Sequence, residues 1–211
     1  MPQAHTTPVR ILNPTGPMPR GLKDFRRIMQ EKRCFVDKTL FIADMFNNAD
    51  LVALITRPRR FGKTTNLTML QAFLQNSRAD ESHQQANRAL FDGTQISENA
   101  AVMKHQGQYP VIVLTLKDVK ESTWPEAFAQ LCNIISQEID RHAVSREFEI
   151  PGFGHQERRQ WNRILHFDDA TLTDWKNALA LLCKLLTLHY KQAPWLLLDE
   201  YDSPILSLIH I

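Results

Sequence analysis

Apolar positions along this chain fall into two kinds of pattern. Leu22, Phe25, Ile28 and Met29 recur at helical spacing within 22–33, and Leu40, Phe41, Ile42, Met45 and Phe46 do so within 38–47, with Asp37 placed to cap that second helix. LVALIT at 51–56 is instead a short continuous apolar run, the pattern of a strand buried on both faces. It stops at RPRRFGK, after which Leu67, Leu70, Phe73 and Leu74 return to helical spacing. The order is strand, loop, helix. Residues 77–108 are polar, with a turn at Leu90–Gly93. VIVLTL at 111–116 predicts a second buried strand, and Phe128, Leu131, Ile134, Ile135 and Ile139 predict a helix over 124–141. Residues 143–170 carry Pro151, Gly152, Gly154 and many polar side chains, and read as an insertion or long loop. A helix over 172–190 and a strand in WLLLDE, 195–200, complete the series. Residues 1–20 hold five of the eleven prolines and read as an extended lead-in to a domain spanning 21–211. Strands alternating with helices predict an α/β fold with a parallel sheet and crossover connections.

Composition narrows the class only a little. Of 211 residues, 43% are hydrophobic and 23% charged, which is ordinary for a protein with a real core. A net charge of +2 is too mild to imply nucleic acid, and no basic stripe interleaved with aromatics appears. Cys34, Cys132 and Cys183 have no CxxC spacing, and read as reduced, buried thiols of a cytoplasmic protein. The histidines lack ligand spacing. No apolar stretch of about 18 residues is available to span a membrane.

The chemistry-bearing signal is RPRRFGKT, Arg57–Thr64. It has the spacing of the phosphate-binding loop GxxxxGK(S/T), with Arg57 where the first glycine is expected. Such a loop aims successive backbone N–H groups at an anion, and the helix that follows adds its positive N-terminal end. Gly62 lets the backbone approach phosphates, Lys63 reaches the β- and γ-phosphates, and the Thr64 hydroxyl suits Mg²⁺. The candidate nucleotide-binding set is Arg59, Arg60, Phe61, Gly62, Lys63, Thr64 and Thr65. The arginines equally suit a solvated basic turn. WLLLDE ends an apolar strand in Asp199 and Glu200, the Walker B arrangement. Asp199 is the candidate Mg²⁺ ligand with Thr64, and Glu200 the candidate general base for an attacking water. Asp202 is a weaker candidate that equally suits bracing the turn before Pro204.

The stretches GLKDFRRI, CFVDKTLFI, LITRPRRFGKTTNLTML, LFDG, YPVIVLTLKDVK and LLLDEYDSPI together resemble the AAA-ATPase-like proteins of bacteria and archaea. The resemblance runs from about Gly21 to Ile205, and an arginine in place of the first loop glycine is one of its traits. It implies an AAA-like P-loop NTPase fold with a parallel sheet flanked by helices, ATP and Mg²⁺ as cofactors, and hydrolysis in the complete protein. ATP over GTP rests on the resemblance, since no NKxD segment is present. Many members end in a PD-(D/E)XK nuclease-like domain. Asp37 and Lys38 match the family's VDKT segment, which would either pack beside the nucleotide base or simply start a helix.

In that ATPase class the sheet order is 5-1-4-3-2, with the loop strand as strand 1 and the Walker B strand as strand 3. The chain stops before strand 4, so it is expected to be a fragment, a truncated product or a frameshifted end, its fold incomplete at the C-terminus. Two other functions compete with an ATP-binding module: a non-hydrolysing regulatory or interaction remnant, and the ATPase part of a nucleic-acid-processing protein. A homo-oligomer or a completing partner chain fits the same pattern.

Overall fold

A computed structural model describes residues 9–48, 52–56, 58, 61–76, 81–142, 152–167 and 169–203. The chain divides into two compact units, 1–108 and 109–211.

In the first unit, β1 (Ile11–Leu12) pairs antiparallel with β2 (Phe35–Val36), with Ile11 opposite Val36. Within 9–20 the chain is hydrogen-bonded to this ribbon and its approach: the Asp37 N–H donates to the Arg10 carbonyl and the Cys34 N–H to that of Pro17. Gly16 permits this. A Cβ there would lie 2.3 Å from the Lys32 carbonyl oxygen, closer than atoms can approach. Helix α1 (Phe25–Gln30) starts where Asp24 accepts the Arg27 N–H, and α2 (Leu40–Asn47) follows β2. Next come α3 (Lys63–Leu74), α4 (Glu81–Ala89), a 3₁₀ turn at Gln95–Glu98 and the short α5 (Ala100–Met103). The turn at 90–93 forms as the sequence predicts.

The core of this unit is aromatic. Phe25, Phe73 and Phe91 are fully buried, with ring centroids 5.2 Å (Phe25–Phe91) and 5.3 Å (Phe73–Phe91) apart, and Phe35 meets Phe25 edge-on. The Phe25 N–H donates to the Thr68 hydroxyl, which fixes α1 against α3. Helix α4 escapes the apolar pattern because ESHQQANRA has almost nothing apolar to bury. It docks through a polar contact, the Arg26 Nε donating to the buried Asn87 side chain at 2.9 Å.

The segment 52–56 departs from expectation. It forms no strand, and Val52 and Leu54 are 85% and 65% exposed. A strand needs a ladder partner on at least one edge. The pairings among the described residues are β1–β2 and β3–β4, and 52–56 takes part in neither.

In the second unit, β3 (Val111–Thr115) and β4 (Trp195–Asp199) pair in parallel, with Val113 opposite Leu197. Parallel strands require a crossover, and α6 (Trp124–Arg141), α7 (His155–His166) and α8 (Leu172–Tyr190) lie in it. Trp161, Ile164, Trp175, Leu182, Leu185 and Leu186 centre the core beneath Ile112 and Leu114. On β4, Leu197 is buried while Leu196 and Leu198 are 45% and 44% exposed, so that strand is covered on one face only.

Helix α7 lies in the stretch that reads as a long loop. Its sequence HQERRQWNRILH buries only Trp161 and Ile164, too few apolar residues to stand out. Ion pairs hold it instead. Arg163 grips Asp174 of α8 through two hydrogen bonds, 2.9 and 2.7 Å, and Lys184 meets Glu157. Asp174 also closes the capping box with Thr171, and the Arg163 hydrogen bond is the main reason its carboxyl titrates far below the usual range. Cys132 is buried, whereas Cys34 and Cys183 are half-buried. Among the described residues, no helix is long and apolar enough to cross a membrane.

The free edge of β3 is closed by side chains. The Pro110 carbonyl and Leu116 N–H bond to β4, so by strand alternation Val111 and Val113 turn their backbone groups the other way. There the Val113 N–H donates to Glu138 Oε1 at 2.8 Å, and Arg141 donates to the Val111 carbonyl. Glu138 also receives Arg141 and lies beside His142, all on or at the end of α6.

Candidate functional site

The best-defined part of the candidate site is the start of α3. Gly62 is its N-cap, at φ +79°, a left-handed conformation that favours glycine. Its carbonyl accepts the Asn66 N–H at 2.9 Å, so the helix begins directly at GKT. A glycine cap has no side chain to satisfy the first-turn N–H groups, and no acidic residue occupies that turn. The positive end of a helix of twelve residues is thus not offset by an acid of its own first turn. Lys63 is exposed, Thr64 and Thr65 are half-buried, and Phe61 is 59% exposed. One turn in, the buried Asn66 side chain leaves its Nδ2 without a hydrogen-bond partner among the described residues. Arg57, Arg59 and Arg60 lie outside the described residues.

Among the described residues beyond its chain neighbours, a Cβ added at Gly62 would meet the Lys38 Nζ at 3.6 Å. The VDKT segment therefore approaches the glycine of the loop. Its flanks are rigid. Asp37 is buried, and its Oδ1 accepts both the Thr39 N–H (2.9 Å) and the Thr39 hydroxyl (2.7 Å), while its Oδ2 accepts the Gln95 N–H at 2.7 Å. Thr39, fully buried, accepts the Ile96 N–H in turn. The N-cap of α2 is Thr39, not Asp37; Asp37 is instead a bracket between the residue that starts α2 and the 3₁₀ turn. Sequence spacing could not reveal this, because the partner residues stand nearly sixty positions away.

The acidic pair lies in the other unit. Asp199 ends β4, and its carbonyl accepts the Leu116 N–H. Its Oδ1 accepts the Glu200 N–H at 3.1 Å. Glu200 has φ +53°, a left-handed conformation that costs a non-glycine residue about 1 kcal/mol. The backbone turns sharply there, and the Ser203 N–H closes the turn on the Glu200 carbonyl. Both carboxylates are half-buried, while Asp202 is exposed in the turn. The structure thus brings Lys38 to Gly62 in one unit, and sets Asp199 beside Glu200 at a strand end in the other.

No curated protein and no solved structure matches the chain. The AAA-ATPase-like family, described as "Predicted AAA-ATPase", matches residues 19–211. That span takes in the Asp37–Thr39 bracket, the glycine-capped start of α3 and the acidic end of β4, and the chain belongs to the AAA-ATPase-like family.

Proposed function

We propose that this chain binds ATP with Mg²⁺ through a P-loop and carries the residues for its hydrolysis. The observation that carries the reading is Gly62, a left-handed glycine that opens a twelve-residue helix at Lys63–Thr64. The glycine cap, the helix dipole and the missing Cβ together suit a polyphosphate. Thr64 and Asp199 would hold Mg²⁺, since both offer the oxygen donors that a hard cation prefers. When bound, the ion neutralises charge on the transferring phosphate. Lys63 would draw the β- and γ-phosphates into place. Arg59, Arg60, Phe61 and Thr65 would complete the nucleotide-binding set. Glu200 would take the proton of the attacking water.

Isothermal titration of the chain and of Lys63→Ala with ATP and Mg²⁺ tests the binding. One lost charge-assisted contact corresponds to roughly 10- to 100-fold weaker affinity. Equal affinity in the two proteins contradicts the reading. Slower phosphate release from Glu200→Gln at unchanged ATP affinity would separate hydrolysis from binding.

A further inference from the structure

Lys38 is a cation whose surroundings do not account for it. Its backbone is clamped on both sides, by the buried Asp37 before it and the fully buried Thr39 after it. Its side chain is half-buried, and Nζ ends 3.6 Å from the position of a Cβ on Gly62. Among the described residues, no carboxylate pairs with it. The nearest acid in sequence, Asp37, is spent on Thr39 and Gln95. Lys63 follows Gly62 directly, and the first turn of α3 holds no acid. Lys38 Nζ therefore ends at a helix N-terminus, itself a positive pole, and among the described residues no carboxylate offsets its charge. Such an arrangement is unfavourable until an anion arrives.

We propose that Lys38 is a second phosphate-binding lysine, reaching from the VDKT segment to the phosphate chain of the nucleotide held at Gly62. This rests on the P-loop reading of Gly62–Thr64. The assignment differs from packing beside the base, because Gly62 is the residue whose missing side chain admits phosphate. A lysine acts there as a mobile point charge with three donors and needs no fixed geometry at its tip. Its precision comes from the Asp37–Thr39 bracket behind it.

The test compares the full chain with Lys38→Met, Lys38→Arg and Lys63→Ala, titrated with ATP, inorganic tripolyphosphate and adenosine. Far-UV circular dichroism and thermal melting confirm that each variant is folded. Lys38→Met is expected to weaken ATP and tripolyphosphate alike by roughly tenfold, the cost of one charge-assisted contact. Adenosine binding should not change, and Lys38→Arg should recover part of the loss. The proposal is overturned if Lys63→Ala loses ATP affinity while Lys38→Met keeps it. A loss for ATP without a loss for tripolyphosphate also overturns it, and assigns Lys38 to the base. If neither lysine matters, or the unsubstituted chain does not bind ATP, the P-loop reading fails and this proposal with it.

Discussion

Glu138→Ala is expected to destabilise the second unit by about 3 kcal/mol, because it strips a buried acceptor from three donors at once. Glu138 is 6% exposed and receives the Val113 N–H, the Arg141 guanidinium and a ring nitrogen contact from His142. Its removal leaves the Val113 N–H without a partner and the arginine without its counter-charge. All four tryptophans, Trp124, Trp161, Trp175 and Trp195, lie in this unit, so urea unfolding followed by tryptophan fluorescence reads the effect directly. A midpoint unchanged from the parent would refute it. The pH dependence has a definite sign. Burial alone pushes the Glu138 carboxyl up, but hydrogen bonds from Arg141 and His142, the Arg141 charge and the Val113 N–H outweigh it, so it titrates below its ordinary 4.5. A lowered folded value means that the contribution is fully present above about pH 4.5 and is lost as pH falls through the folded value. Glu138→Gln keeps an acceptor for Val113 but has no charge to titrate, so the variant should lose part of the acid sensitivity of the parent.

Asp37→Ala is expected to cost the first unit about 3 kcal/mol as well. Three hydrogen bonds of 2.7–2.9 Å end on this one carboxylate, and two of their donors are backbone N–H groups, Thr39 and Gln95. Without it the 3₁₀ turn and the start of α2 lose their common acceptor. Amide hydrogen exchange at Thr39 and Gln95 should accelerate well beyond that of the α1 amides. Asp37→Asn, which retains one carbonyl oxygen, should fall between the two. Uniform exchange at these positions in all three proteins would show that the bracket does not hold them.

The contrast between the two crossing patterns explains what could be read from the sequence. Helices α6 and α8 appear where their apolar spacing puts them, over 124–141 and 172–190, because each buries a broad stripe. Val111–Thr115 is a strand where its continuous apolar run puts it, and it pairs in parallel with β4, as strands alternating with helices predict. Helices α4 and α7 were hidden because salt bridges and amide contacts hold polar sequences in place, and such contacts have no periodicity. The run at 51–56 misled in the opposite direction. Its composition suits a strand, but composition does not supply a partner. In the candidate site, GKT was legible as a loop followed by a helix. The approach of Lys38 to Gly62 was not, since it depends on a contact between segments some twenty-five positions apart.

The closure of β3 by α6 has a consequence for solubility. VIVLT and WLLLD are apolar, β-prone stretches of the kind that seed intermolecular stacking when their edges are open. With the Val111 carbonyl and the Val113 N–H held by Arg141 and Glu138, a second molecule finds an interrupted ladder on that side. Glu138 and Arg141 thus serve as gatekeepers against addition of a foreign strand along β3.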